Sequence, residues 1–483
     1  MSKKSITENY LYNLAYQLLA IIAPLVTTPY VSRVLGVANI GIYEYTVTIT
    51  NFFILFGSLG LNLYGQREIA YHQDNSEYRS KIFWELFTLR AIMILISIIL
   101  FLISVVLFSK YSIYYMILLI NILSSIFDSS WLFQGMENFK VTVTRNFISK
   151  LLGILLVFVL VRSESDLWLY FMCLSFPLLL GNMSMWVRVS KLVGRPVISV
   201  SNSLRHIRLT LEMFIPQIAI SIYTLLDKSM LGLMTDNIAE VGYYGQAEKI
   251  IKLTLTIVTA MGIVMLPRIA SHFANNDTKE IKYHINRSLK LVYFLAFPMI
   301  FGLIGISSGF VPWFFGDGYA KVVPLMIIIS PIILLIGLSN VIGVQYLLPT
   351  KHQKEFARSV IYGSVVNFFL NLVLIMKFQA YGTSIATVCG ELVVTVTQFY
   401  FVRHDISFLE NFKSGIRYLF SAIVMFVVVV LLGKVLKLSF ISTMIQIVVG
   451  GSIYIGILFL IRDKFISNII SIILNKTVRG RKS

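Results

Sequence analysis

Residues 223–270 read YTLLDKSMLGLMTDNIAEVGYYGQAEKIIKLTLTIVTAMGIVMLPRIA. Asp227, Lys228, Glu248, Lys249 and Lys252 fall inside two otherwise apolar segments joined by a short acidic turn around Asp236. If both segments are membrane helices, each such charge costs at least ~2.5 kcal/mol to insert and is expected to face a bundle interior or a wet cavity. The spacing therefore predicts a membrane bundle with a polar, cationic interior.

The rest of the chain agrees with that class. Of its 483 residues 57% are hydrophobic and only 13% charged, and the mean hydropathy of +0.80 is too high for a soluble domain of this length. A net charge of +18 would point to nucleic acid in a soluble protein, but basic loops on one membrane face explain it, so no nucleic-acid partner is expected. The two cysteines, Cys173 and Cys389, lie in apolar runs and are read as packing residues, with neither a disulfide framework nor a metal site. The basic start, MSKKSITENY, leads into an apolar run without a small-residue cleavage site, so a retained first helix is expected.

Apolar runs of about 20 residues are long enough to cross a hydrocarbon core ~30 Å thick. Fourteen occur, over 10–32, 40–64, 83–108, 113–133, 146–161, 167–187, 211–235, 242–266, 289–311, 322–347, 359–376, 382–402, 416–433 and 440–461. With both termini inside, the cytoplasmic segments hold 28 Lys and Arg against 7 on the opposite side. That bias sets both termini in the cytoplasm.

A weak internal repeat divides the chain. Gly41-Ile-Tyr43, closing with Gly60 and Arg67-Glu-Ile-Ala70, resembles Gly242-Tyr-Tyr244, closing with Gly262 and Arg268-Ile-Ala270. The expected fold is an all-α integral membrane protein of about fourteen transmembrane helices: two six-helix pseudo-repeat bundles around a central cavity, plus two C-terminal helices. The corresponding division is 1–190 for the first bundle, 191–210 for a basic cytoplasmic linker, 211–403 for the second bundle, 404–462 for helices 13 and 14, and 463–483 for a basic tail on the inner membrane surface. Pro24, Pro29, Pro216, Pro298, Pro324 and Pro331 interrupt four of the helices and would permit bending.

At ~1.5 Å per residue, Asp227, Lys228, Glu248, Lys249 and Lys252 share the outer half of the membrane. Glu44, Glu391 and the boundary residue Arg33 are on the same side, whereas Arg90 and Asp128 lie in the inner half. Cations at more than one depth suit an anionic group that crosses. Part of this charge has a structural explanation: Glu248 and Lys252 are four apart and can pair along one helix face. Asp227 and Lys228 point about 100° apart on a helix, so at least one needs another partner.

The stretches LGVANIGIYEYT (35–46), YGQREIA (64–70), WLFQGMENFK (131–140) with Arg145-Asn146, LLDKSMLG (225–232) and QYLLPTKHQKEF (345–356) resemble the bacterial polysaccharide transporters that flip lipid-linked oligosaccharides. These include capsule, O-antigen and teichoic acid repeat-unit flippases of the multidrug/oligosaccharidyl-lipid/polysaccharide exporter superfamily. The resemblance spans nearly the whole chain. It implies transfer of an undecaprenyl-diphosphate-linked oligosaccharide, a capsular repeat unit or teichoic acid precursor, from inner to outer leaflet of the bacterial cytoplasmic membrane by alternating access. Its implied partners are that lipid-linked sugar, membrane lipid, and polysaccharide or teichoic acid assembly proteins.

A diphosphate leaving water needs buried cations to compensate it. Lys228 sits within a matching motif that also holds Asp227, and Lys249, Lys252, Arg90 and Arg33 are matched only by kind and approximate place; these six are the substrate-binding candidates. No GxxxxGK[ST] loop occurs, so no ATP cofactor is expected. The resemblance implies coupling to an ion gradient or to the membrane potential; for an ion gradient, Asp227, Glu248, Glu391, Glu44 and Asp128 are the candidates to bind Na⁺ or H⁺.

Two other classes remain open at this level. An ion-coupled multidrug exporter would share the fold but line its cavity with carboxylates and aromatics. A polytopic glycan polymerase or ligase would need an assembled catalytic constellation. The six histidines are scattered through segments assigned to the cytoplasm, and no nucleophile, base and orienter assembly or metal-ligand cluster is visible.

Overall fold

The computed structural model describes residues 3–108, 110–406, 408–463 and 465, with side chains placed over these except 3–18, 20, 108, 215–220, 222, 223, 261, 263, 264, 408–412 and 414. The expected helix bend at Pro216 and the expected surface-lying tail after Asp463 fall outside the described side chains or residues.

The first two crossings form one continuous helix, α1 (Lys3–Ser58), broken where Gly36 adopts φ 72°, ψ 168°. Such a backbone is open to glycine and strained for other residues. A left-handed pair, Leu59 and Gly60 (φ 46° and 68°), then starts α2 (Leu61–Tyr71). There follow α3 (Ser76–Phe108), α4 (Ser112–Ile126), the short α5 (Ser130–Gly135), α6 (Phe139–Leu160), α7 (Leu167–Leu192), the single-turn α8 (Val200–Leu204) and α9 (Ile207–Met234). The chain continues through α10 (Ala239–Ala274), α11 (Thr278–Phe315), α12 (Val322–Ile329), α13 (Ile332–Ser339) and a π-helix over Asn340–Leu347. It ends with α14 (Gln353–Phe378), α15 (Ala380–Phe401), α16 (Phe408–Val435) and α17 (Phe440–Leu460).

Among the described residues twelve helical stretches are long and apolar enough to cross a membrane. The first of these runs 51 residues, Ile21–Tyr71, and at ~1.5 Å per residue is more than twice the thickness of a hydrocarbon core; the Gly36 break divides it into two crossings. With α9 as the seventh, the count is fourteen, as the apolar runs predict. Large apolar side chains left exposed on the helices, among them Val106, Leu155, Met376, Val396 and Leu431, are acceptable only where lipid covers them.

By internal packing the chain falls into two compact units, one ending at Gly245 and the other beginning at Gln246. In the first unit one buried cluster lies where two of the quoted motifs meet. Trp131 of WLFQG is 1% exposed and lies against Gly65 of YGQREIA, where an added Cβ would come within 2.6 Å of the indole. Gly135 meets Gln66 and Ile69 equally closely. Leu61, Tyr64, Ile69, Phe83 and Leu86 belong to the same cluster.

The segment expected to link two bundles is tied to α3 in the same unit. Arg79 donates to the carbonyl of Leu192 through Nε and Nη2 (3.1 and 2.9 Å), capping the end of α7, and also donates to the carbonyl of Gln73. Trp84 Nε1 donates to the carbonyl of Gly194 (3.0 Å), whose own N–H donates to Ser80 Oγ (2.9 Å).

In the second unit α14 and α15 form a tight hairpin in which an added Cβ on Gly363 would strike Val394 and the carbonyl of Gly390. The tenth crossing is segmented: Pro331 caps α13 after the break at Ser330, and the π-helix follows. The last two crossings, α16 and α17, pack on α11, and α17 is hydrogen-bonded to it by Tyr454 Oη donating to the carbonyl of Phe294 (2.9 Å) and Trp313 Nε1 donating to Thr443 Oγ1 (2.7 Å). The two C-terminal helices thus have their own anchor within this unit.

Candidate functional site

Eight residues beyond the Gly36 break, Glu44 sits on α1 with its side chain only 14% exposed. Lys228, six residues before the end of α9, approaches it so that Nζ lies 2.8 Å from Glu44 Oε2. At ~1.5 Å per residue both charges are ~9–12 Å from a helix break or end, which is inside the membrane-spanning part. Small residues make the room. An added Cβ on Gly245 would stand 3.2 Å from Glu44 Cγ, and one on Gly232 would enter the ring of Tyr45. Aromatic rings line the neighbouring face, with Tyr43 in edge contact with Tyr170 and Phe171 at 4.8 and 5.1 Å.

Asp227, the neighbour of Lys228 in sequence, points elsewhere, as the angular offset of adjacent helical positions requires. It is 4% exposed and accepts a hydrogen bond from Tyr244 Oη at 2.9 Å. Glu44 and Asp227 thus meet successive residues of α10, Gly245 and Tyr244. One turn earlier on that helix, Gly242 packs backbone to backbone with Gly41. A Cβ on Gly41 would strike the carbonyl of Ile238 and come 3.2 Å from the Gly242 nitrogen, while one on Gly242 would strike the carbonyl of Val37. Gly41 and Gly242, which open the two copies of the sequence repeat, are in contact.

The threonines that follow Glu44 bring little free polarity. Thr46, Thr48 and Thr50 donate to the carbonyls of Ile42, Glu44 and Thr46 at 2.6–2.8 Å. That pattern satisfies the hydroxyls within the helix.

Further along α10, in the second unit, Lys252 Nζ lies 2.7 Å from Glu248 Oε1, the anticipated i,i+4 pair. Half of the Lys252 side chain is exposed while that of Glu248 is buried. Lys249 Nζ donates to Gln246 Oε1 at 3.2 Å. Glu391, on α15, is also buried at 8% exposure. Arg33, three residues before Gly36, is exposed.

Arg90 and Asp128 form a second polar centre in the first unit. Arg90 is 1% exposed; it donates to the backbone carbonyl of Asp128 and to Asn62 Oδ1 (2.8 Å). The Asp128 carboxylate accepts from the N–H of Ser130 (3.0 Å) and lies 3.5 Å from Arg145. These bonds hold the break between α4 and α5, where backbone groups lack helical partners.

A third centre was not anticipated. Glu85, 2% exposed, contacts Arg205 Nη2 at 2.7 Å and His206 Nε2 at 2.9 Å, and the other ring nitrogen of His206 is 2.8 Å from Tyr64 Oη. Its residues are 64, 85 and 205–206, and nothing in their spacing marks them as neighbours. Beside Tyr45, and also unanticipated, is a cavity of about 320 Å³ lined by Tyr45, Tyr111, Tyr115, Lys110 and Asp236 among others.

Fold and buried charge together define a polytopic membrane protein that keeps ionised side chains within its helical bundle. The structure is similar to a solved lipid II flippase MurJ in an inward closed conformation, with a TM-score of 0.77 at 18% identity over 94% of this chain and 99% of that one. It is also similar to an inward-facing multidrug resistance MATE family transporter of the MOP superfamily, with a TM-score of 0.64 at 14% identity over 80% and 96%. At such identities the likeness is one of fold.

Residues 6–273 match the polysaccharide biosynthesis protein family and residues 187–457 match the family of lipid II flippase MurJ. The chain belongs to the polysaccharide biosynthesis protein family. Among curated relatives it is 29% identical, over 84% of its own length and 98% of theirs, to the Escherichia coli K12 protein described as "Putative O-antigen transporter".

Proposed function

We propose that this chain is a flippase that carries an undecaprenyl-diphosphate-linked oligosaccharide from the inner to the outer leaflet of a bacterial cytoplasmic membrane by alternating access, with both termini in the cytoplasm. Family membership and the relative described as an O-antigen transporter support a lipid-linked glycan as cargo. A capsular repeat unit and a teichoic acid precursor both fit.

The observation that carries the reading at the level of chemistry is Lys228 held against Glu44 inside the membrane-spanning part. A diphosphate entering a low-dielectric site must exchange hydration for fixed cations. Lys228 would supply one by changing partner from Glu44 to phosphate. A proton or Na⁺ taken up by Glu44 at that moment would couple loading to an ion gradient at one carboxylate. Asp227, anchored on Tyr244, holds the same stretch of α9 in register. Lys249 and Lys252 on α10 and the exposed Arg33 would meet the headgroup before or after Lys228. Glu248 and Glu391 are further carboxylates to test for coupling. Sugar rings fit the tyrosine-lined cavity beside Tyr45 by size and by the amphipathic character of tyrosine.

The test is the leaflet distribution of undecaprenyl-linked oligosaccharide in cells depleted of the protein. Accumulation on the cytoplasmic leaflet, cured by the wild-type chain, is the expected result. No accumulation together with new sensitivity to cationic drugs would replace the flippase by an exporter of the same fold, which the MATE neighbour accommodates.

A further inference from the structure

The turn between α10 and α11 brings together three metal-ligand side chains that the transport site does not use. His272 lies in the last turn of α10. Asn276, at φ 57°, reverses the chain, and Asp277 caps α11 by accepting from the N–H of Glu280 (3.2 Å). Glu280 and His284 then share one face of α11 at i,i+4. One ligand atom from each of His272, Glu280 and His284 lies within 4.8 Å of the other two. The imidazole rings of His272 and His284 are 5.3 Å apart.

His284 is the residue that asks for a ligand. Its side chain is 5% exposed, and its Nε2 is buried without a hydrogen-bond partner, an unusual cost for a polar atom. Glu280 Oε2 lies 3.6 Å from it, too far for a hydrogen bond. A zinc ion with bonds of about 2.0–2.1 Å would hold tetrahedral ligand atoms ~3.3 Å apart, so 3.6 Å suits two ligands of one ion. Asp277 Oδ2, 3.5 Å from His272 Nδ1, is placed to accept from that ring or to take a fourth position. Arg268 and Arg287 act on His284 electrostatically and oppose a cation; the carboxylates of Asp277 and Glu280 offset them.

We infer that His272, Glu280 and His284 form a binding site for a zinc-like divalent transition-metal ion that staples the α10–α11 turn. Two imidazoles and a carboxylate select such an ion over Mg²⁺ or Ca²⁺, which prefer oxygen ligands throughout. Glu280, half exposed, gives the ion a way in.

The experiment uses the full chain purified in detergent without a polyhistidine tag, stripped with chelator and dialysed against Zn²⁺, with bound metal counted per chain. One saturable equivalent is expected. His272→Ala and His284→Ala should each weaken it at least about a hundredfold, since even partners outside the ligand shell cost 10–100-fold. Glu280→Gln should weaken it less, and His352→Ala should leave it unchanged. Helical circular dichroism of the metal-free variants equal to that of the wild type separates loss of ligands from loss of fold. Co²⁺ in place of Zn²⁺ should give a visible absorption band in the wild type that both histidine variants lack. Absence of saturable binding, or binding that survives the double variant His272→Ala/His284→Ala, would overturn the site.

Discussion

Lys228 and Glu44, 184 positions apart in sequence, form an ion pair of 2.8 Å with both side chains about 85% buried. Removing one partner breaks the pair and leaves a buried charge behind, whereas removing both leaves a neutral site that a membrane bundle tolerates better. Lys228→Ala and Glu44→Gln should each lower stability by ~1–3 kcal/mol, read as a fall in the thermal midpoint in detergent. The double variant should recover much of that fall, and simple addition of the two losses would show the pair to be energetically uncoupled.

The contact between Gly41 and Gly242 leaves no space for a methyl group. Gly41→Ala and Gly242→Ala should each cost ~1–3 kcal/mol by overpacking and reduce the monodisperse fraction on size exclusion. Gly456→Ala, where nothing lies within 4 Å, should be neutral or slightly stabilising because alanine favours a helix over glycine. Equal behaviour of all three would contradict the close approach.

Glu85 fastens the 205–206 segment to α3. Glu85→Ala removes an acceptor shared by Arg205 and His206, at ~1–3 kcal/mol for the partners left behind. Limited trypsin digestion should show faster cleavage at Arg205 and Arg208 than in the wild type, before any change in global helicity. An unchanged cleavage rate would mean that the contact does not restrain the segment.

Arg90 donates to Asp128 and Asn62 from a fully buried position. Arg90→Met should therefore act mainly on folding, with a loss of ~3–5 kcal/mol for a broken buried charge network. Transport per folded molecule should fall far less than the yield of folded molecules. A normal yield with abolished transport would instead place Arg90 among the headgroup ligands.

The crossings were legible because each needs about 20 apolar residues and the sequence supplies them in sharply bounded runs. The repeat matched Gly41 to Gly242 as equivalent positions, but their contact was not legible in it. Side-chain partners were legible only where they are local: the i,i+4 pair of Glu248 and Lys252 follows from helical spacing, and the divergence of Asp227 from Lys228 follows from the 100° step. Glu44 opposite Lys228, Glu85 opposite His206 and Asn62 opposite Arg90 depend on which helices pack and at what height, information that no single helix contains. The grouping of His272 with His284 was also missed, because they are twelve positions apart with a left-handed Asn276 between them; the histidines look scattered until the turn is closed.

The most direct test of the account is inward-to-outward transfer of an undecaprenyl-diphosphate-linked oligosaccharide in liposomes containing the purified chain, compared among wild type, Lys228→Gln and Lys228→Arg at equal folded protein. If Lys228 exchanges Glu44 for the diphosphate, the wild type transfers the lipid, Lys228→Gln loses at least about tenfold in rate, the effect of ~1.4 kcal/mol in a transition state, and Lys228→Arg retains part of it. Transfer by Lys228→Gln at the wild-type rate would contradict the role given to this lysine, and absence of transfer by the wild type would contradict the flippase itself.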